Sequence, residues 1–289
     1  MRKKIVTLIM ACALAVAMIF GISSITRYYH TATEAGDIGA YTGEDDGAEG
    51  ERAAKLLEGM GEVTQAEAAA AAAGFMGLRP SMLRYEGEAQ RGGLPVYVFT
   101  CGAPGGRATI EVTKTGGFIA RAESTRAPLS DRFPLTEAIK EAQRLLRENG
   151  FYDMTATEYM AEGNTVRVIF AYSKGGVTYY PDRIEVTIGR DNGGLVGFDS
   201  FCYIINRHER TLGDAKVAEK TAREMVSDRL EIKSHNMAVI ARNGGEIYCH
   251  EFKCENGLGG QYLVRINAET GEFEQILVRS EGENGVALR

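Results

Sequence analysis

Apolar residues alternate with polar ones along 184–198, IEVTIGRDNGGLVGF, with a break at Asp-Asn-Gly-Gly. Alternation on both sides of an Asn-Gly pair predicts a β-hairpin. Similar stretches occupy 110–119 and 262–276. The glycines at the three turns are 77 and 78 residues apart along the chain: Gly116, Gly193 and Gly271. This regular spacing indicates one module that is repeated three times.

A helical pattern precedes each of the three hairpins. Thr64 followed by Glu67 forms a capping box, which predicts a helix over 65–76. An apolar stripe at helical spacing predicts a second helix over 135–149. A third helix is predicted over about 214–226.

Between each helix and its hairpin, alternating residues predict further strands. These strands are 82–88, 94–100, 155–161, 165–172, 233–241 and 246–254. A helix followed by three or four antiparallel strands predicts an α+β fold class. We therefore predict three tandem modules, each a helix packed on an antiparallel sheet: module 1 over 51–127, module 2 over 128–210 and module 3 over 211–289.

The N-terminal residues have a different pattern. An apolar run without charged residues covers 5–26 and follows three basic residues. At about 1.5 Å per residue it is long enough to cross a bilayer core of about 30 Å, so we predict a transmembrane signal anchor. The positive-inside rule places 1–4 in the cytoplasm and the bulk of the chain outside it. A cleaved signal peptide is the alternative, because Ala13-Leu14-Ala15 resembles a cleavage site. Residues 27–50 predict an acidic linker.

Composition and charge limit the classes of function. The chain has 289 residues, of which 44% are hydrophobic and 25% charged, as in ordinary globular proteins. Modules of about 75 residues have small cores, so we expect them to pack on one another. The net charge is −6 and the pI is about 5.5, which excludes the basic footprint of a nucleic-acid-binding protein.

The arrangement of helix and sheet resembles the PepSY domain. Residues 180–210, YPDRIEVTIGRDNGGLVGFDSFCYIINRHER, are similar to the corresponding repeat of YpeB-type spore germination proteins. The similarity covers roughly 51–289. The resemblance implies a spore protein on the outer side of a membrane. It also implies a cortex-lytic peptidoglycan hydrolase as partner, and the two proteins depend on each other for localisation or stability. The resemblance transfers no catalytic residues. Family members have a long helical region between anchor and repeats, where this chain has the acidic linker.

Four cysteines follow the predicted anchor, and an even number outside the cytoplasm would allow two disulfides: Cys101, Cys202, Cys249 and Cys254. The spacing of Cys249 and Cys254 points them to opposite faces of a strand, and no C-x-x-C pair occurs, so we favour free, mostly buried thiols. A metal site formed by these two cysteines with His250 and His235 is an alternative. Zinc sites usually have tighter paired spacing, so we interpret His250 as a core residue and predict no metal or cofactor.

Catalysis needs an acid and a base in position, or a nucleophile with a base beside it. The carboxylates alternate along strands as solvated faces do, and Glu111 and Glu185 occupy equivalent positions in two repeats. We therefore predict no catalytic residues, although a carboxylate pair that meets only in the fold stays open. The Gly-Gly pairs lie between strands without a following helix, which indicates turns and not phosphate-binding loops.

Aromatic residues concentrate around the module 2 hairpin. We interpret Phe198 and Phe201 as core residues, and Tyr179, Tyr180 and Asp182 as a contact surface for a partner. The favoured function is a non-enzymatic interaction protein, anchored in a membrane, that localises, stabilises or restrains a cortex-lytic enzyme. A regulator of an extracytoplasmic peptidase is the first alternative, and a cell-wall hydrolase is the second.

Overall fold

The structure is a computed structural model, and it describes residues 57–242 and 245–289. The predicted cytoplasmic tail at 1–4, the anchor at 5–26 and the linker at 27–50 lie outside the described residues. Within the described ranges, no helix is both long enough and apolar enough to cross a membrane.

The α-helices of the described residues are α1 (Gln65–Met76), α2 (Leu135–Glu148), α3 (Phe201–Asn206) and α4 (Glu219–Glu224). Helices α1 and α2 confirm the first two predicted helices. The capping box is also present, since the backbone N–H of Thr64 donates to the Glu67 carboxylate at 2.7 Å and the Thr64 hydroxyl accepts from the Glu67 N–H. Module 1 therefore begins its helix where the sequence predicts it.

The predicted third helix, 214–226, is too long. The backbone N–H of Val217 donates to the carbonyl of Ala268 at 3.0 Å, and Ala218 has an extended conformation with φ −68° and ψ 148°. These contacts hold the chain extended up to Ala218, so α4 begins only at Glu219. Helix α3 was not predicted, and it follows Ser200, whose hydroxyl donates to a carbonyl of the neighbouring sheet.

The strands of the described residues form an antiparallel meander in each module. They are β1 (Arg84–Arg91), β2 (Leu94–Ala103), β3 (Gly106–Thr113), β4 (Ile119–Ser124), β5 (Met154–Glu162), β6 (Thr165–Lys174), β7 (Val177–Gly189), β8 (Leu195–Asp199), β9 (Leu230–Arg242), β10 (Gly245–Asn256), β11 (Gln261–Asn267), β12 (Phe273–Gly282) and β13 (Gly285–Leu288). The predicted order of a helix followed by antiparallel strands is confirmed, and β13 is an addition to it.

The strands join into one sheet in the order β1-β2-β3-β4-β8-β7-β6-β5-β13-β12-β11-β10-β9. Strand β4 pairs with β8, which makes the sheets of modules 1 and 2 continuous. Module 3 joins module 2 by two short pairings. Strand β9 runs parallel to the start of β7, from Val177 to Tyr179, and β13 pairs with β5.

The three hairpin glycines have the same backbone conformation. Gly116, Gly193 and Gly271 have φ angles of 78°, 75° and 79°, in the left-handed region that favours glycine. In the turn between β7 and β8, the N–H of Gly193 donates to the carbonyl of Gly189 at 2.9 Å. The same bond joins Gly271 to Asn267 in module 3, whereas the N–H of Gly116 in module 1 donates to Gly61, so the three turns share the glycine conformation but not every hydrogen bond. The exact boundaries of the modules stay predictions.

The cores divide differently from the modules. One hydrophobic core spans modules 1 and 2 and contains Ala68 of α1, Ala142 of α2 and Phe198 of β8; we call it the shared core. Module 3 has its own core under α4, with Phe252 and Val264 among its members. A much smaller apolar cluster lies between modules 2 and 3. The main contacts between those two modules must therefore be of another kind.

Candidate functional site

The predicted contact residues lie in the first half of β7, where β9 joins the sheet. Tyr179 is half-buried, and it pairs with Val239 of β9. Tyr180 is 8% exposed and Asp182 is fully buried. These two side chains are therefore not accessible to a partner in this structure, because module 3 covers them. Of the predicted contact surface, only Tyr179 still reaches solvent.

Asp182 forms a buried ion pair with Arg210 of the same module, and the Arg210 guanidinium also reaches module 3. Arg210 donates from both terminal nitrogens to the two Asp182 carboxylate oxygens, each at 2.7 Å. The same guanidinium donates to the Glu246 carboxylate of β10, at 2.7 Å from Nε and 2.6 Å from Nη2. Its carbon atom lies 5.1 Å from the centre of the Tyr179 ring. Arg210 thus binds one carboxylate from each module through a single planar guanidinium group.

A second buried group lies beside the first. The Tyr180 hydroxyl donates to Glu251 Oε1 at 3.1 Å, and Arg265 Nε donates to Glu251 Oε2 at 2.9 Å. The Arg265 guanidinium lies 4.1 Å above the Tyr180 ring and also donates to Gln275 at 2.6 Å. Arg265 is fully buried and Glu251 is 4% exposed. We call the two groups together the module 2–3 junction: Tyr180, Asp182, Arg210, Glu246, Glu251 and Arg265.

Burial dominates the electrostatics of this junction. It raises the pKa of the Asp182 carboxyl, and the hydrogen bonds and charge of Arg210 act in the opposite direction. It also raises the pKa of the Tyr180 hydroxyl, with a further contribution from the neighbouring Glu251 charge. Each charge of the junction has a partner of opposite charge, and Glu246 is the one that is exposed. The geometry of the junction is suited to holding two modules in one orientation.

The four cysteines predicted to be mostly buried thiols lie largely inside the fold. Cys101, Cys249 and Cys254 are buried, Cys202 is half-buried, and all four are free thiols. Cys249 packs at the junction and Cys254 in the core of module 3, so they lie on opposite faces of β10 as predicted. The interpretation as free, mostly buried thiols is confirmed.

His250 is a core residue, as predicted, and is 2% exposed. Its Nε2 donates to the carbonyl of Val217 at 2.8 Å, and its Nδ1 lies 3.0 Å from Nε2 of His235. The fold does bring these two histidines together, but Cys249 lies on the other face of the strand. Among the residues that the structure describes, no group of three or more potential ligands is placed to hold a metal ion.

Four residues of the junction were missed: Arg210, Glu246, Glu251 and Arg265. A signal for Arg265 exists, because it interrupts an apolar run that continues on both faces of β11. A strand of that kind is buried on both sides, so a charge within it requires a buried partner. Glu251 is directly opposite Arg265 in the register of β10 and β11. The pairing of Arg210 with Asp182 has no comparable local signal.

Fold and sequence comparisons define the class of this protein as one built from PepSY domains. The family model described as "YpeB sporulation, PepSY1 and PepSY2 domains" matches residues 39–213. The chain therefore belongs to the YpeB family, which confirms the resemblance found in the sequence. The matched range covers both modules of the shared core and ends just after Arg210.

Relatives and a solved structure agree with this assignment. The sporulation protein YpeB of Halalkalibacterium halodurans is 29% identical over 177 residues, which are 60% of this chain and 39% of that protein. Those of Oceanobacillus iheyensis and Bacillus subtilis are 27% and 25% identical, over 65% and 63% of this chain and 42% and 41% of theirs. The fold is similar to the Bacillus megaterium YpeB C-terminal domain, with a TM-score of 0.68 and 21% identity over 75% of this chain and 98% of that one.

The chain spans about two fifths of the length of the curated relatives that it matches. Family membership supports a role in sporulation or germination.

Proposed function

We propose that this chain is a non-enzymatic spore protein whose PepSY modules bind a peptidoglycan cortex-lytic enzyme and localise, stabilise or restrain it. The observation that carries the proposal is the match of residues 39–213 to the YpeB sporulation family. This range includes the hairpin stretch that gave the resemblance. PepSY domains are not known for catalysis, so the proposed role is one of binding.

The fold supports a binding role by offering fixed surfaces. Modules 1 and 2 share a core, and module 3 is held by the ion pair of Arg210 with Glu246 and the hydrogen bond from Tyr180 to Glu251, so the three modules keep one relative orientation. A rigid array loses little conformational entropy when a partner binds. Tyr179, half-buried beside Arg210, remains the predicted contact residue, because aromatic and arginine side chains are frequent in the centres of interfaces.

We further propose that residues 5–26 anchor the chain in a spore membrane, with the modules on the outer side. The support is the uncharged apolar run and the basic residues before it. An anchor of this kind would hold the bound enzyme close to the membrane. Fractionation of spores tests it: the full chain is expected in the membrane fraction, and a variant with two arginines inserted into the run is expected in the soluble one.

Crosslinking and pull-down of the full chain from spores tests the partner. A cortex-lytic enzyme is expected in the crosslinked product. Replacing Tyr179 by Ala is expected to reduce its recovery, and the matched variant Tyr152→Ala, at an exposed tyrosine after α2, is expected to leave recovery unchanged. Recovery of an extracytoplasmic peptidase in its place would favour the regulatory alternative. Release of muropeptides from cortex by the purified chain alone would contradict the non-enzymatic role.

A further inference from the structure

A cavity of about 150 Å³ opens on the face of the sheet opposite α1 and α2, beside α3 and between modules 1 and 2. We call it the seam pocket. On β7, Ile184 and Val186 point into the shared core, so the alternate residues Arg183 and Glu185 point to the opposite face and into the pocket. Arg91, at the end of β1, closes the pocket from the side of module 1. Both modules are therefore needed to form it.

Arg91 is incompletely satisfied in this pocket. Its Nη1 lies 3.4 Å from Glu111, and its Nη2 contacts Asp199. Its Nε is buried and has no hydrogen-bond partner. A buried donor without an acceptor is unfavourable, so an acceptor brought by a ligand would be stabilised there. Arg183 lines the same cavity and adds a second guanidinium.

Two carboxylates face the same space. Glu185 of β7 and Asp199 of β8 are directly opposite each other in the antiparallel register. Like charges in that position are destabilising unless a cation lies near them. Arg167 is 3.3 Å from Glu185, on the side of β6, and Arg91 contacts Asp199. A ligand ammonium group between the two carboxylates would offset the remaining repulsion.

We propose that the seam pocket binds a zwitterionic α-amino acid. The ligand carboxylate accepts from Arg91 Nε and Arg183, and the ligand ammonium group donates to Glu185 and Asp199. A small apolar side chain packs against Ile169 and Phe201, which complete the lining together with Cys202. The volume is several times that needed by one water molecule, which suits a small amino acid. This site is separate from the proposed binding of an enzyme, and either can fail without the other.

Titration of the full chain with glycine and alanine, followed by NMR, tests the proposal. Saturable shifts are expected at the amides of β7, β8 and α3, with a dissociation constant of about 1 mM or lower. Acetate and methylamine each carry only one of the two charges, so each is expected to bind at least about tenfold more weakly. Equal binding of acetate, or no saturable shift with either amino acid, would overturn the proposal.

Two variants locate the site. Glu185→Gln is expected to weaken binding about tenfold, because it removes a charged acceptor for the ammonium group. Glu162→Gln is the matched control: Glu162 also pairs with Arg167, at 3.4 Å, but it does not line the pocket. Ile169→Phe fills the cavity and keeps every charge, so it is expected to abolish binding. Binding retained in Ile169→Phe, or lost equally in both glutamate variants, would contradict the assignment.

Discussion

The contact between modules 1 and 2 and the contact between modules 2 and 3 differ in their chemistry. The first is a shared apolar core, in which Phe198 of β8 lies 4.8 Å from the ring of Phe75 and 5.8 Å from that of Phe151. The second depends on charged groups. Arg210 bridges Asp182 of module 2 and Glu246 of module 3, and Arg265 pairs with Glu251 on the neighbouring strand of module 3. Apolar burial stabilises without regard to direction, whereas an enclosed ion pair requires one geometry.

This difference divides the three modules into two folding units, modules 1 and 2 together and module 3 alone. The shared core makes modules 1 and 2 one folding unit, and the family match over 39–213 covers that same unit. Module 3 has a separate core and a contact that fails if either partner of an ion pair is removed. The orientation of module 3 should therefore be easier to change by a single substitution than the packing of modules 1 and 2.

The largest effect is expected from Phe198→Ala. The ring is 2% exposed and joins the helix of module 1 to the residues that follow α2, so its loss leaves a cavity in the shared core. We expect the free energy of unfolding to fall by about 3–5 kcal/mol, measured by urea denaturation. Phe273→Ala is the control, since that ring is 57% exposed, and it should change stability by less than about 1 kcal/mol. Equal effects of the two would contradict a shared core.

A somewhat smaller effect is expected from Arg210→Met, at about 3 kcal/mol, because it leaves the buried Asp182 carboxylate without its main partner. Adding Asp182→Asn should recover part of the loss, which a double-mutant cycle measures. Arg144→Met is the matched control. Arg144 also bridges two carboxylates, but it is 52% exposed on α2, so its loss should cost less than about 1 kcal/mol. A coupling free energy of zero between Asp182 and Arg210 would contradict this ion pair.

The smallest effect concerns pH. Burial lowers the pKa of His235, and the nearby His250 and Arg223 act in the same direction, while Glu219 opposes them. A histidine whose pKa is lowered by folding stabilises the fold above its ordinary pKa of about 6.5, and this is lost as the pH falls through the folded value. Between about pH 7.5 and pH 5 the wild-type chain should lose more stability than His235→Gln.

The control for this measurement comes from the shared core. Phe198→Ala removes no titratable group, so it should keep the wild-type difference in stability between the two pH values. A His235→Gln variant with the full wild-type pH dependence would show that the histidine of module 3 does not contribute to it.

The sequence predicted local structure well because local patterns encode it. The capping box at Thr64 and the left-handed glycine at each hairpin act over a few residues, and each was found where expected. The alternation of β6 predicted its buried face, from Val166 to Phe170. Contacts between modules could not be predicted in this way. Arg210 and Glu246 are 36 residues apart, and nothing in either neighbourhood identifies the other as its partner.

The burial of the predicted contact surface also depends on contacts between residues that are distant in the sequence. Tyr180 and Asp182 were predicted to form a contact surface, but an aromatic and a charge beside a hairpin fit an exposed surface as well as a buried junction. Only the parallel pairing of β9 with the start of β7 decides between the two, and it joins residues about 60 positions apart. The short α4 has a similar cause, since its start is set by the contact of Val217 with Ala268.

Module 3 is held on the unit of modules 1 and 2 by polar contacts centred on Arg210. Hydrogen exchange of backbone amides in the Arg210→Met variant tests these contacts most directly. The account predicts faster exchange in β9, β10 and β11, with β2, β3 and β6 exchanging as in the wild-type chain. Equal acceleration in all six strands, or none in module 3, would contradict it.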